Sequence, residues 1–382
     1  MYSLAGYGSM IADRVRMDAF ARALRHAIAP ESVVVDIGTG TGIMALLACR
    51  FGARRVYAIE TDDAIQVARE IAAANGCADR IEFIQAESTK VTLPERANVV
   101  VSDIGGLLPL FGRHIPSIVD ARRRFLEPGG VLIPQLDTIW AAVVEAPALF
   151  DEYIAPWDDR FGFDMSAARG RVMNTWRKSK FTEDQLLARP QGWAVLDYAV
   201  VEDTDVRASV TWTITRPGTG HGVVAGFDRV VGKGARLNNA PDAPDAIRPE
   251  RMYPTAFFPW PDPVPLEAGD TVTLDLQARL VGKDYVWGWS TEVMSSGQPR
   301  ASFKQSTFFG VPRSAAQVRK QAAGYVPSLN EDGRIARLAL ESMNDTASLE
   351  EVAHRVSAQF PESFPTWREA LTYVADLSAK YS

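Results

Sequence analysis

Two acids and three glycines define the chemistry this sequence is equipped for. The stretch VVVDIGTGTGIM, residues 33–44, reads as a buried strand, a glycine turn and the start of a helix. Asp36 precedes Gly38, Gly40 and Gly42, and Glu60 closes the next apolar run. Glycines let a backbone turn tightly and approach a ligand closely. The helix that starts there offers unpaired N–H groups. A dinucleotide site asks for G-x-G-x-x-G; here the third glycine comes one position early and Ile43 stands where the fingerprint wants glycine. A site for S-adenosylmethionine (SAM) has no pyrophosphate to hold. It wants an acid at the end of the first strand for the α-ammonium, and a second acid on the next strand for the ribose hydroxyls. Asp36 and Glu60 meet both demands, so the expected cofactor is SAM and the expected chemistry is methyl transfer.

The elements that must position these groups follow from hydrophobic periodicity. Residues 7–28 have a helical pattern. Strands are expected at 32–37, 55–59, 81–84 and 97–102, and helices at 41–52, 63–75 and 116–125. This alternation predicts a doubly wound, Rossmann-like α/β domain with a parallel sheet. After Pro134 the pattern turns to strands, at 138–144, 194–200, 208–214, 223–228, 271–280 and 285–291. That is an all-β domain, barrel or sandwich, interrupted over 147–187 by a more helical, aromatic-rich segment. The last residues return to helical spacing, with Ser348 and Glu351 as a capping box. The expected domains are 1–136, 137–312 and a small helical module at 325–382.

Composition narrows the function classes. A chain of 382 residues exceeds one ordinary core. A net charge of −6 gives no electrostatic footprint for nucleic acid. No run is apolar and long enough to span a bilayer, and the N-terminus lacks the basic-then-apolar pattern of a secretory signal. The two cysteines, Cys49 and Cys77, fall in the α/β region and suit a reducing compartment. The expected location is cytoplasmic. No metal-ligand cluster is visible.

Longer segments carry a family likeness. Y-x-x-M-I-x-D-x-x-R-x-x-x-F (7–20), VVVDIGTGTGIMALLACRFGARRVYAIE, IPSIVDARRRFLEPGGVLIP, RFGFDMS (160–166) and TAFFPWPDPVPLEAGD (255–270) together resemble the protein arginine methyltransferases. The resemblance implies a SAM-binding domain followed by a β-barrel, with a helical arm near 150–187 that forms a homodimer. It implies that Arg16 pairs with the SAM carboxylate and that Gly38 and Gly40 line its amino-acid part. It places Glu60 on the ribose, Glu87 and Ser88 at the adenine, Tyr7 and Met10 over the methyl group and substrate, and Asp13 behind the catalytic loop.

The departures from the family fall on the acceptor side. The family's loop carries two glutamates that hold a guanidinium. Here the loop is SDIGGLLPLFG, residues 102–112. Asp103 replaces the first glutamate, one methylene shorter, and Gly112 replaces the second. A desolvated guanidinium needs paired negative acceptors. The family's Thr-His-Trp motif is also missing; Glu250, Arg251 and Met252 stand near its place. The expected catalytic candidates are Asp103, His114 and Tyr7, acting on an acceptor other than ordinary protein arginine. That acceptor is a peptide or small nitrogenous metabolite that becomes N-methylated, with no nucleic-acid or membrane partner. The competing reading is a catalytically silent SAM-binding regulatory or scaffolding subunit. Residues 332–353 faintly resemble leader-peptide-binding winged-helix modules; a plain helical appendage explains them as well.

Overall fold

The computed structural model describes residues 3–158 and 161–381. Two helices open the chain, α1 (Leu4–Ala12) and α2 (Arg14–Ala27), where one was expected over 7–28. The break lies at Asp13, whose backbone leaves the helical region (φ −76°, ψ 98°) to cap α2. Its Oδ1 accepts the Arg16 N–H at 3.1 Å. Its Oδ2 accepts the N–H groups of Arg251 and Met252 at 2.8 and 2.9 Å. One fully buried carboxylate thus starts a helix and anchors a segment more than two hundred residues away.

The α/β part follows in order: β1 (Val33–Ile37), α3 (Ile43–Arg50), β2 (Arg55–Glu60), α4 (Ala64–Ala74), β3 (Ile81–Gln85), β4 (Ala97–Ser102), α5 (His114–Arg124) and β5 (Leu126–Ile133). The strands form one parallel sheet in the order β3-β2-β1-β4-β5. Alternate residues of β1 serve opposite faces: Val33, Val35 and Ile37 join one core, and Val34 joins the other with α2 and α3. The strand order reverses beside β1, so the crevice at the carboxyl ends of β1 and β4 is where such a sheet binds ligands.

The all-β part contains β6 (Leu136–Val144), α6 (Pro147–Tyr153), α7 (Ser166–Val172), β7 (Arg177–Ser179), β8 (Gln191–Asp197), β9 (Val206–Thr213), β10 (Gly218–Gly232), β11 (Ala235–Asn238), β12 (Thr255–Leu266), β13 (Thr271–Val281), β14 (Asp284–Ser295), β15 (Gln298–Ser306) and the one-turn helix α8 (Thr307–Gly310). It is built as two antiparallel sheets. One has the order β7-β12-β10-β6-β8 with β11 on β10; the other is β15-β14-β13-β9. Among the described residues no ladder closes them into a single barrel, which refines the barrel expectation. The expected arm segment holds α6 and α7, but β7 within it belongs to the sheet and pairs with β12. Arg160, the first residue of the RFGFDMS stretch, lies outside the described residues.

Residues Arg313–Ser382 form a separate compact unit with α9 (Ala315–Lys320), α10 (Glu331–Ser342), α11 (Leu349–Gln359) and α12 (Trp367–Tyr381). Its core is Ile335, Ala339, Val352, Ala353, Val356, Ala370 and Val374. Ser348 and Glu351 make the expected capping box at the start of α11.

Replacing Asp13 by Ala removes a cap and leaves two backbone donors without an acceptor. We expect a loss of about 2–4 kcal/mol in urea denaturation of the whole chain, with Asp13→Asn costing less because one side-chain oxygen remains.

Candidate active site

The carboxyl ends of four neighbouring strands present the predicted groups side by side. Glu87 and Ser88 follow β3, Glu60 ends β2, Asp36 and Gly38 close β1, and Asp103 follows β4. Together with residues from α1, α2 and the segment before β12 they line a cavity of about 640 Å³.

On the donor side, Asp36 is buried, and its Oδ2 accepts the Thr39 hydroxyl at 2.6 Å and the Ala45 N–H, in the first turn of α3, at 3.1 Å. Burial pushes its carboxyl up to about 7, against the downward pull of those two hydrogen bonds. Glu60 Oε2 accepts the Gly40 N–H at 2.9 Å, and Oε1 accepts those of Thr61 and Asp62 at 2.8 and 3.0 Å. Oε1 also accepts the Thr61 hydroxyl at 3.4 Å, whereas Oε2 accepts only Gly40 and keeps a lone pair for a ligand. Gly40 has φ +53°, and a Cβ there would meet the Tyr7 ring at 2.4 Å; Gly38 has φ +75°, and a Cβ there would meet Ile104 at 2.4 Å. Tyr7 and Ile104 therefore roof the glycine turn, and only glycine leaves room for them. Gly38 faces the cavity, whereas Gly40 spends its N–H on Glu60. Ser88 is buried; Glu87 is exposed and pairs with Lys90 at 3.2 Å. Both line the cavity, as do Tyr7 and Met10.

This wall fits SAM. A desolvated carboxylate that still awaits a cation faces the cavity, a second acid stands on the next strand, and the backbone between them turns on glycine.

The acceptor side is arranged differently. Asp103 Oδ2 accepts Arg16 Nε at 3.0 Å and Nη2 at 2.8 Å, and also accepts the Tyr253 hydroxyl. Its Oδ1 accepts Arg229 Nη1 at 3.0 Å. Arg229 is fully buried on β10, opposite Asp137 on β6, and forks onto that carboxylate at 2.8 and 3.0 Å. Burial alone would raise the Asp103 carboxyl, but Arg16 and Arg229 overturn that and hold it below the ordinary range. Burial likewise opposes the charge on Arg16, which Tyr253 and Asp103 nonetheless hold above its usual value. Arg16, expected to meet the SAM carboxylate, is thus already paired with Asp103.

His114 does not line the cavity. It is buried at the start of α5, its Nε2 lies 3.0 Å from the Tyr198 hydroxyl, and its Nδ1 has no partner. The Tyr198 hydroxyl donates to Asp137, so Nε2 carries the proton and donates in turn. Burial, and then Arg229, lower its value to about 3. The expectation that His114 faces an acceptor is corrected by this placement. Gly112 turns the loop with φ +49°. Among the described residues no group of His, Cys, Asp and Glu is arranged to hold a metal ion.

Three members of the cluster escaped the sequence reading. Arg229 interrupts the apolar run VVAGFDRVV; a charge there was the available signal, because arginine is almost never fully buried without partners. Asp137 has no such mark. Tyr253 precedes Pro254 and has φ +59°, an uncommon backbone for a non-glycine residue, which aims its hydroxyl at Asp103.

The raised Asp36 carboxyl carries a pH signature. Below about 7 it is protonated and offers nothing to an ammonium group. SAM affinity should rise roughly tenfold per pH unit up to that value and then level off. Asp36→Asn should weaken binding and flatten the profile. Isothermal titration across this range measures both.

The comparisons with known proteins bear on the fold and the family. The family of ribosomal protein L11 methyltransferases (PrmA) matches residues 20–140. The fold is similar to the crystal structure of Arabidopsis thaliana protein arginine methyltransferase 10, with a TM-score of 0.68 and 24% identity over 80% of this chain and 97% of that one. Protein arginine N-methyltransferase 1 of Schizosaccharomyces pombe is 30% identical over 57% of this chain and 66% of its own length. Alignments with three further curated plant relatives span between 37% and 45% of their lengths. Protein arginine N-methyltransferase PRMT10 of Oryza sativa subsp. japonica is 32% identical over 296 residues, 69% of this chain and 77% of that protein. On that extent of likeness, added to a SAM wall in a doubly wound sheet, the chain belongs to the protein arginine N-methyltransferase family.

Proposed function

We propose that the chain is a SAM-dependent methyltransferase whose acceptor, a peptide or small metabolite, is not an ordinary protein arginine. The observation that carries this reading is the state of Asp103. Its two oxygens already accept Arg16, Arg229 and Tyr253. The position of the family's second glutamate is Gly112, which supplies no carboxylate. A substrate guanidinium would find no free acid on this side of the cavity.

SAM, when bound, supplies an electrophilic methyl group. Asp36 and Glu60 would hold its ammonium and ribose, Glu87 and Ser88 its adenine. Met10 and Tyr7 exclude water over the reacting centre, and the Arg16–Asp103 pair fixes the roof loop. Positioning of this kind is the main source of acceleration for such a displacement. We also propose a homodimer through the segment that holds α6 and α7. Phe161 and Phe163 there are 96% and 67% exposed, which supports a covered face. The free thiols of Cys49 and Cys77 support a cytoplasmic location; no helix among the described residues is long and apolar enough to cross a membrane.

The engaged Asp103 also favours a second reading, a SAM-binding regulatory or scaffolding subunit without turnover. Titration with SAM and tritiated-methyl transfer separate the two. Glu60→Gln should weaken SAM binding about 10–100-fold, the worth of a charged hydrogen-bond acceptor. Arginine-rich protein tails should receive no label; their efficient methylation would refute the acceptor reading. Binding without transfer to any acceptor would favour the silent subunit.

A further inference from the structure

We propose that the methyl acceptor is a carboxylate, drawn in by Lys178, and that the product is a methyl ester. The proposal rests on the function above and names its substrate class, an oxygen acceptor in place of the nitrogen acceptor expected from the sequence.

The cavity is divided by charge. Its acids other than Asp103 are Asp36, Glu60, Asp62 and Glu87, all at or just beyond the ends of β1, β2 and β3, on the donor side. The all-β part contributes Met252, Tyr253, Pro254 and Lys178 to the lining. Lys178 sits on β7, in register with Ala256 of β12, two positions beyond Pro254. It is exposed and has neither an ion pair nor a side-chain hydrogen bond among the described residues. Arg113, at the start of α5, also lines the cavity, is exposed and is equally unpaired. Asp103 cannot balance these cations, because Arg16 and Arg229 already claim it. Beside Lys178 and Arg113 an ammonium or guanidinium acceptor would meet like charge, and the cavity's remaining acids lie at the ends of β1, β2 and β3, which SAM would occupy; a carboxylate meets a cation with no competing partner.

Proton bookkeeping points the same way. Most neutral acceptors need a base as they are alkylated. His114 is buried away from the cavity against Tyr198, and both oxygens of Asp103 are occupied. A carboxylate is ionised at neutral pH and needs no base. One carboxylate oxygen forms the new C–O bond with its lone pair. The methyl–sulfur bond breaks and sulfur keeps the electron pair. The positive charge of the sulfonium and the negative charge of the carboxylate cancel, giving a neutral ester and a neutral thioether with no proton released.

The test uses the full-length protein, tritiated SAM and a panel of probes. These are a glutamate-containing peptide amidated at its C-terminus, the same peptide with Gln for Glu and a free C-terminus, benzoate, the fully amidated Gln peptide, and a lysine peptide. The first three arms distinguish side-chain, C-terminal and small-molecule carboxylates. Label should appear on at least one carboxylate arm and not on the amidated control, and alkali should release it as volatile methanol. Lys178→Glu should weaken binding of the labelled probe, titrated without SAM, at least about tenfold, the effect of one charge contact. SAM binding should stay unchanged, and Lys178→Arg should restore probe binding. Alkali-stable label, equal label on the amidated control, unaltered probe binding in Lys178→Glu, or no transfer to any carboxylate while SAM binds would each overturn the proposal. Failure to bind SAM would instead overturn the function on which it rests.

Discussion

A buried chain of four charges holds the catalytic region together. Arg16 of α2 pairs with Asp103 after β4, Asp103 with Arg229 of β10, and Arg229 with Asp137 of β6. Each member comes from a different element, so the chain ties the N-terminal helices, the parallel sheet and the antiparallel sheet at one point. Such groups are expensive to desolvate, and their attraction offsets that cost only when the geometry is good and every hydrogen bond is made. Here Arg229 makes a two-pronged contact with its cross-strand partner, and Tyr253 and Tyr198 donate to the two carboxylates. Removing one member would leave an uncompensated charge, at a cost of about 3–5 kcal/mol. The arrangement therefore persists because its parts require one another.

That constraint bears directly on chemistry. An acid at the end of β4 faces a cavity in a fold that uses such positions for ligands. Asp103 is instead engaged by two arginines, one on each carboxylate oxygen. Its Oδ1 accepts Arg229 and its Oδ2 accepts the Tyr253 hydroxyl. Tyr253 occupies a strained backbone position to do so, and its segment is held by Asp13 through two neighbouring N–H groups. The wall of the acceptor site is thus set by acids that belong to the SAM-binding part.

Much of the donor side was legible in the sequence. Asp36, the glycines and Glu60 are close in the chain, and strand–turn–helix geometry brings them together whatever the rest does. The acceptor side was not, because its determinants are separated by long stretches: Asp103 and Arg229 by 126 positions, Asp13 and Met252 by 239. Local periodicity carries no record of such pairings. The helix break at Asp13 was hidden for the same reason, since its second set of partners lies near residue 252. Strand β12 was obscured by Pro259, Pro261, Pro263 and Pro265. It tolerates them because β7 accompanies it only as far as Phe257, so the later prolines sit where only one ladder neighbour needs donors. The expected barrel became two sheets because closure depends on how strand ends meet, which alternation of side chains does not encode.

The same separation distinguishes the two sides of the cavity. The donor wall is made by consecutive turns of one sheet, and its acids answer to a cofactor that does not vary. The acceptor wall is assembled from β4, β7, β10 and the segment before β12, and no single residue there acts alone. Gly112 carries no carboxylate, and the exposed cations Lys178 and Arg113 have no ion-pair partner among the described residues. The charge this wall presents bears on which acceptor is attracted far more than on the fold that presents it.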